Sequence, residues 1–305
     1  MHSAVIEIDQ VTKNFKNLRA VDSLSLRVHP GESLGVLGPN GAGKTTLVEM
    51  IEGIQKPDDG EIRLFGKTWS EGGESLRRRI GVALQEASFM DKVTVIETLR
   101  LFASFQQARP ERAEQVLANM NLTEKRETYC GTLSGGQKQR LALGIALLAD
   151  PEIIILDEPT TGLDPGVRRE IWELLAELKK KGATLILTTH YMEEAEMLCD
   201  RIVIMDRGRI LGEGRLEDLL KQGGEIIEFS CTKLPPANAF ARLPGFVSFK
   251  PRSRGGTLKV RDMARAVPGF LQTMTRAKAG LKDLECRKST LDDLFVSMTG
   301  RRLEE

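Results

Sequence analysis

A glycine-rich segment, residues 38–46, carries the residue types that bind a polyphosphate. It fits the pattern G-x-x-x-x-G-K-[ST], follows a short apolar run and precedes a segment with helical character. Gly41 and Gly43 allow backbone N–H groups to turn inward as an anion-binding concavity. Lys44 adds charge for the β- and γ-phosphates, and the Thr45 hydroxyl can ligate Mg²⁺. The predicted phosphate-binding residues are Gly38, Pro39, Asn40, Gly41, Ala42, Gly43, Lys44, Thr45 and Thr46. A chance glycine-rich turn is the alternative, and the flanking strand and helix argue against it.

Two adjacent carboxylates end a second apolar run. Residues 153–156 are all apolar and lead directly to Asp157, Glu158 and Pro159. A buried parallel strand presents its functional groups at its carboxyl end. We therefore expect Asp157 to lie in a Mg²⁺ shell and Glu158 to orient and deprotonate a water. Helix capping by the two acids is a weak alternative, because Pro159 follows at once.

A second potential anion site lies in the segment 133–140. Ser134 is a good helix N-cap, and Gly135 and Gly136 leave backbone N–H groups accessible where a helix begins. Gln137 completes the pattern. The chain thus has one P-loop, the segment 38–46, and two potential anion sites in all. This combination suggests a dimer.

Three single residues carry weaker signals. Phe15 lies between the first two predicted strands and could stack on an adenine ring, although core packing is favoured for it in isolation. Gln85 ends a predicted strand at 80–84 and could reach a metal ion or an attacking water. His190 follows another predicted strand, where a lone histidine is more often a surface residue than a phosphate sensor.

The elements that would position these residues alternate between strand and helix patterns. An antiparallel β layer is predicted at 4–30, and a helical subdomain is predicted at about 86–149 within an α/β core. Asp164 is the predicted N-cap of a helix that runs to about Lys181. The domain prediction is a phosphate-binding unit at 1–220, a linker at 221–224 and an accessory unit at 225–305. In that α+β accessory unit, strands are predicted at 226–230, 257–261 and 281–286, and helices at 268–277 and 291–298.

Composition describes a globular protein of 305 residues with 41% hydrophobic and 29% charged residues. Aromatic residues make up only 5%, which disfavours a base-stacking nucleic-acid surface. Residues 1–219 carry 28 basic and 34 acidic side chains, whereas residues 220–305 carry 16 and 9. The basic unit suggests an anionic neighbour, and a solvated basic surface without a partner is equally compatible.

The four cysteines form no C-x-x-C pair and are expected to be reduced thiols. No signal peptide is expected, and the longest run of apolar residues and glycine, 141–149, is too short to span a bilayer. Work at a membrane would therefore need a partner.

Taken together, these motifs resemble the nucleotide-binding subunit of an ABC transporter over residues 3–220. The resemblance includes the P-loop, Gln85 as Q-loop, LSGGQ at 133–137, Walker B ending in Asp157 and Glu158, the D-loop 162–164 and His190 as H-loop. Phe15 matches the A-loop aromatic, where tyrosine is commoner. The implied fold is α/β, with a RecA-like P-loop NTPase core, an antiparallel β layer and an inserted helical subdomain.

A finer resemblance is to bacterial exporter ATPases for drugs, antibiotics, polysaccharides or lipids. It depends on Thr188 to Glu196, which reads THYMEEAE after its first threonine, and on the ending Leu291 to Arg301. This resemblance implies a peripheral subunit at the cytoplasmic face of the inner membrane, with a membrane permease as partner and no nucleic acid.

The resemblance also implies a mechanism. Two copies, or this chain and a second ABC ATPase, pair head to tail with ATP between Lys44 of one and Ser134, Gly135 and Gly136 of the other. Mg²⁺ is held by Thr45 and Gln85 with Asp157 in its shell, Glu158 is the base, and His190 stabilises the transferred phosphoryl group.

Two other classes within this family are alternatives. A soluble ATPase of DNA repair or translation would need a long coiled-coil insertion or two cassettes. This chain has one cassette and only 90 positions from Lys44 to Ser134. An importer ATPase is disfavoured by the C-terminal unit and by the segment after His190.

Overall fold

A computed structural model describes residues 3–83 and 88–300 of the chain. These residues form two compact units that divide between Leu216 and Glu217. The helix α8 (Leu216–Gly223) begins at this division and occupies most of the segment predicted as a linker at 221–224. Gln85 lies outside the described residues.

The first unit alternates strands and helices. Its strands are β1 (Ile6–Phe15), β2 (Leu18–Val28), β3 (Ser33–Leu37), β4 (Asp59–Leu64), β5 (Ile80–Ala83), β6 (Ile153–Asp157), β7 (Thr184–Thr189), β8 (Arg201–Asp206) and β9 (Arg209–Arg215). Its helices are α1 (Lys44–Ile51), α2 (Trp69–Arg77), α3 (Val95–Phe105), α4 (Arg112–Asn119), α5 (Gly135–Ala146), α6 (Pro165–Lys180) and α7 (Met192–Leu198).

The strands of this unit make two sheets. The larger sheet has the order β5-β6-β7-β3-β8-β9, in which β9 alone pairs antiparallel and the other pairs are parallel. The smaller sheet is antiparallel with the order β2-β1-β4. Every residue of β3, β6 and β7 is buried, and for β6 the apolar run 153–156 predicts this. The α/β core and its antiparallel layer are therefore confirmed.

The helical segments follow their capping signals. Thr94 and Glu97 form a capping box at the start of α3, and the Thr94 hydroxyl accepts a hydrogen bond from the Glu97 backbone N–H at 3.3 Å. The next helix, α4, begins at Arg112, two residues beyond Pro110.

One helix was missed in the sequence. The segment 70–79 is polar and basic and predicts no regular element, but Trp69 to Arg77 form α2, with a break at Gly73. A tertiary hydrogen bond fixes this helix, because the Trp69 indole N–H donates to the Ile51 carbonyl at 2.9 Å. The capping box of Thr68 and Glu71 was the available signal.

The second unit is α+β, as predicted. It contains β10 (Glu225–Cys231), β11 (Phe246–Arg252), β12 (Gly255–Val260), α9 (Met263–Arg276), β13 (Leu281–Lys288) and α10 (Leu291–Thr299). Its antiparallel sheet has the order β11-β12-β10-β13. The strand β11 was not predicted, and α9 begins five residues before Pro268. The N-cap Asp262 explains that start, since its carboxylate accepts the Arg265 backbone N–H at 3.1 Å.

Four phenylalanines hold the second unit together. Phe229, Phe240, Phe249 and Phe270 lie in one cluster, with ring centroids of Phe229 and Phe270 4.9 Å apart in an edge-on arrangement. Such pairs add to the free energy gained by burying their area.

Phe270→Ala is expected to lower the free energy of unfolding of the second unit by about 3–5 kcal/mol, through lost burial and a residual cavity. The neighbouring Leu271, 40% exposed on the same helix, is the matched control, and its change to alanine should cost under about 1 kcal/mol. Urea unfolding of both variants measures the difference. Equal losses would contradict the assignment of Phe270 to this core.

Candidate nucleotide-binding and catalytic site

Three neighbouring parallel strands bring the predicted catalytic segments together. The P-loop follows β3, Glu158 follows β6 and His190 follows β7. In the sheet register Leu37 lies beside Thr189, and Asp157 lies beside Thr188. Carboxyl ends of adjacent parallel strands share one edge of the sheet, so segments that are distant in sequence meet there.

A pocket of about 610 Å³ lies at this edge. Its lining comprises Phe15, Leu18, Ala20, Asn40, Gly41, Ala42, Gly43, Lys44, Thr45, Thr46, Glu158, Thr161 and His190. Phe15 is 40% exposed and faces this pocket, so core packing, the interpretation favoured for the isolated residue, is wrong. The structure thus collects the A-loop aromatic, the P-loop and two catalytic candidates around one volume.

The P-loop backbone adopts conformations that only glycine takes readily. Gly43 is the N-cap of α1 with φ of 100°, and a Cβ there would lie 2.2 Å from the Ala20 carbonyl oxygen. The backbone therefore packs directly against β2, and no larger residue fits. This close approach is the reason for the second glycine of the motif.

Lys44 is buried against its own loop. Its Nζ donates to the Gly38 carbonyl at 2.9 Å and to the Pro39 carbonyl at 3.3 Å. The same Nζ lies 3.4 Å from Glu158 Oε1. Gly38 and Pro39 therefore serve through their carbonyl groups, which fix the ammonium group beside the pocket.

Glu158 is the centre of the site's electrostatics. Its Oε2 lies 3.2 Å from His190 Nδ1 and accepts a hydrogen bond from the Thr161 hydroxyl at 3.1 Å. Burial raises the pKa of Glu158, but the charges of Lys44 and His190 and the hydrogen bonds outweigh it, so the pKa lies below its usual value. The carboxylate is ionised at neutral pH, as a base must be.

The backbone of Glu158 is strained and held. Its φ of 48° lies in the left-handed region, which is uncommon for a non-glycine residue. Its N–H donates to both the carbonyl oxygen and the hydroxyl oxygen of Thr188, at 3.1 and 3.0 Å. Thus β7 fixes the direction in which the Glu158 side chain leaves β6.

Asp157 is buried one residue earlier and accepts a hydrogen bond from the Thr188 hydroxyl. Within residues 3–83 and 88–300, no three His, Cys, Asp or Glu side chains cluster as a metal cage. A Mg²⁺ ion needs no such cage, since it binds one or two protein oxygens together with substrate phosphates and water. The Asp157 carboxylate and the exposed Thr45 hydroxyl are donors of that kind.

The second anion site lies in a different pocket. Ser134 is the N-cap of α5 in a complete capping box, in which its backbone N–H donates to Gln137 Oε1 at 3.0 Å. A pocket of about 510 Å³ is lined by Ser134, Gly136, Gln137 and Arg140 with residues of other segments. A Cβ on Gly136 would lie 2.3 Å from Val167 Cγ1, so α5 packs tightly on α6. Gly135 opens the helix.

The D-loop residue Asp164 lies at neither pocket. It is the N-cap of α6, as predicted, with Pro165 in the first turn, but its side chain makes no capping hydrogen bond. The structure therefore brings Phe15, Lys44, Glu158 and His190 together and leaves Ser134 and Asp164 apart from them.

Sequence reasoning missed three residues of the site. Thr161 hydrogen-bonds to Glu158, Thr188 hydrogen-bonds to Asp157, and Leu18, beside Phe15, extends the apolar lining. Thr188 lies two residues before His190, near the carboxyl end of β7. Asp157 was selected for the corresponding position at the carboxyl end of its own strand. The contacts themselves are between strands and leave no local trace in sequence.

Comparison with known proteins fits this geometry. The ABC transporter family matches residues 21–161. The Nod factor export ATP-binding protein I of Rhizobium etli is 38% identical over 100% of this chain and 96% of its own length. The daunorubicin resistance ATP-binding protein DrrA3 of Streptomyces coeruleorubidus is 35% identical over 100% and 99%. The chain belongs to the ABC transporter family of ATP-binding proteins.

Solved ABC structures resemble the chain over about the length of its first unit. The protein cbiO1 from Clostridium perfringens, part of the cbiONQ transporter complex, has a TM-score of 0.65 at 29% identity, covering 72% of this chain and 91% of that one. An ATP-binding cassette solved as a dimer in a post-hydrolysis state with ADP and Pi has a TM-score of 0.63 at 28% identity, covering 69% and 98%. By its family and these structural matches, the 305-residue chain is an ATPase. None of the helices in its described part is both long and apolar enough to cross a membrane.

Glu52 provides a test of electrostatics near this ABC site. Neither carboxylate oxygen has a hydrogen-bond partner among the residues described. Burial, and then the charges of Asp157 and Glu49, raises its pKa to about 7. The pKa of Glu52 is higher in the folded state than in the unfolded state, where it is about 4.5. The native state therefore has its full stability below pH 4.5 and loses part of it as the pH rises through about 7.

Glu52→Gln should therefore match the wild type in unfolding free energy near pH 4.5 and exceed it by about 1–3 kcal/mol at pH 8. Urea unfolding at the two pH values measures this, with Glu173→Gln, an exposed glutamate on α6, as control. A difference that stays constant with pH would contradict the assignment.

Proposed function

We propose that this ABC ATPase is the energy-coupling subunit of an export system, acting on a separate membrane permease. The observation that supports ATP hydrolysis best is the convergence of Lys44, Glu158 and His190 on one pocket. Export is supported by the relatives named as export and resistance proteins, which match over the full chain, including the second unit. The transported compound would contact the permease, so we assign none.

Hydrolysis follows from the positions of these side chains. Lys44 and the backbone N–H groups of 41–45 would bind the β- and γ-phosphates, which places the γ-phosphorus next to Glu158. The ionised Glu158 orients a water and accepts its proton as the water oxygen bonds to phosphorus and the bond to the bridging oxygen breaks. His190, 3.2 Å from Glu158, would stabilise charge on the transferred group.

Mg²⁺ is expected as cofactor. Thr45 and Asp157 would hold it, with Gln85 as a further predicted ligand. The ion would neutralise charge on the β- and γ-phosphate oxygens.

The separate second pocket supports a head-to-tail dimer. Ser134, Gly135 and Gly136 form a helix N-terminus, yet they share no pocket with the P-loop of their own chain. A partner copy, or a second ABC subunit, would bring that N-terminus onto the γ-phosphate. Loss of the phosphate would then weaken the pair, and the permease would respond to the opening.

A peripheral position at the cytoplasmic face of the inner membrane follows from this proposal. The helical subdomain offers an apolar surface for the permease, since Leu101 and Phe105 are four residues apart on α3 and are 39% and 71% exposed.

Glu158→Gln should bind ATP and form the dimer but lower turnover by about 10²-fold or more, because the amide cannot accept the proton. Phosphate release and light scattering with ATP measure the two effects, and Glu173→Gln is the matched control. Near-normal turnover would refute the role of Glu158.

The double change Leu101→Ser and Phe105→Ser should leave ATP turnover of the isolated subunit within about two-fold and reduce permease recovery by about ten-fold. Tagged protein purified from native membranes, with and without ATP, gives the readout. Unchanged recovery would exclude this surface.

The same purification separates the proposal from a nucleic-acid or ribosome-associated ATPase. Recovery of a polytopic membrane protein supports export. Recovery of ribosomes or nucleic acid without it would overturn the proposal and direct attention to the basic second unit, whose Lys and Arg side chains suit phosphate binding.

A further inference from the structure

A fully buried carboxylate lies behind the catalytic edge of the sheet. Glu194, in α7, is 0% exposed. Its Oε1 accepts hydrogen bonds from the Thr160 hydroxyl at 2.8 Å and from the Trp172 indole N–H at 3.0 Å. None of the steps described above uses this residue, so its burial needs another explanation.

The donors to Glu194 come from two segments that serve the site. Thr160 lies in the turn between Glu158 and Asp164, and Trp172 lies in α6, the helix that Asp164 opens. Glu194 itself belongs to the helix that begins two residues after His190. One carboxylate oxygen therefore joins the turn that carries Glu158 to the helix that follows His190.

A second contact repeats this connection nearer the pocket. The Arg168 guanidinium of α6 lies 4.0 Å from the centre of the Tyr191 ring, and the Tyr191 and His190 ring centroids are 4.1 Å apart. Thus α6 contacts the residue beside His190 directly as well as through Glu194. Both contacts join α6 to the segment that contains His190 and α7.

The energetics of Glu194 favour a geometric role over a stabilising one. Burial raises its pKa, against the hydrogen bonds of Thr189, Thr160 and Trp172 and the charge of Arg168. A buried carboxylate of this kind is commonly no more stabilising than an apolar side chain, and what it contributes is a defined arrangement.

We propose that Glu194 is a positioning residue for ATP hydrolysis, which fixes the turn 159–164, and with it Glu158, relative to His190. The proposal rests on the catalytic roles given above to Glu158 and His190. Glu194 touches neither ATP nor the water. It acts through Thr160 and Trp172.

Four variants of the full chain test this proposal: Glu194→Ala, Glu194→Gln, Thr160→Val and Trp172→Phe. The last two remove one donor each and keep most of the packing, so they decide the question even where Glu194→Ala does not fold. Glu193→Gln, at the exposed neighbour in the same helix turn, is the matched control. The measurements are kcat and KM for MgATP, MgADP affinity and thermal unfolding.

A positioning role predicts a loss in kcat rather than in nucleotide binding. We expect Glu194→Ala to lower kcat by about 10–100-fold, with KM and MgADP affinity within about two-fold of wild type. Glu194→Gln retains an acceptor oxygen and should keep about half of the wild-type kcat or more. Thr160→Val and Trp172→Phe should each lower kcat about 3–10-fold, and adding either to Glu194→Ala should cost nothing further.

Wild-type kcat in both single-donor variants would overturn the proposal. So would a Glu194→Gln variant as impaired as Glu194→Ala, or a loss of MgADP affinity that parallels the loss of kcat. In each case the kcat or MgADP affinity of the variant is compared with that of the wild-type protein. Failure of the proposed function would instead appear as a wild-type protein without ATP turnover or without a permease.

Discussion

The parallel register of β6, β7 and β3 is the constraint on which the rest of the structure depends. The side chains of these strands are buried, and their hydrogen-bonded pairing places Asp157 beside Thr188 and Leu37 beside Thr189. A shift of one residue would separate Asp157 and Glu158 from Thr188, to which both are hydrogen-bonded. Lys44, Glu158 and His190 then meet because each follows one of these strands.

Much of the site could be predicted because its signals are local. A P-loop, an apolar strand with two terminal carboxylates and a capped helix at Ser134 each lie within a few consecutive residues. Phe15 shows the limit, because hydrophobicity gives no information on whether an aromatic ring faces a core or a pocket. Thr161 and Glu194 show it again, since their importance lies in contacts between elements. The metal-binding role of Gln85, which the family resemblance implies, stays a prediction.

The fold was predictable to a similar degree and for the same reason. Long apolar runs gave the central sheet, whereas α2 was missed because Gly72 and Gly73 weaken its helical pattern. In the second unit, Arg287 contacts both Glu228 and Asp293, with its Nη2 3.3 Å from Glu228 Oε1. These internal ion pairs leave the excess of 16 basic over 9 acidic side chains unchanged, so the anionic partner and the solvated surface both stay predictions.

The contact between Gly43 and Ala20 has a consequence for which nucleotides fit. The P-loop and the strand pair that ends in Phe15 touch through backbone atoms, so the separation between the phosphate cradle and the aromatic ring is rigid. Phenylalanine stacks on any base and offers no hydrogen bond with which to distinguish one from another. Under the proposed function, a base stacked on Phe15 would lie at a fixed distance from the bound phosphates, and the ring would contribute no hydrogen bond that identifies the base.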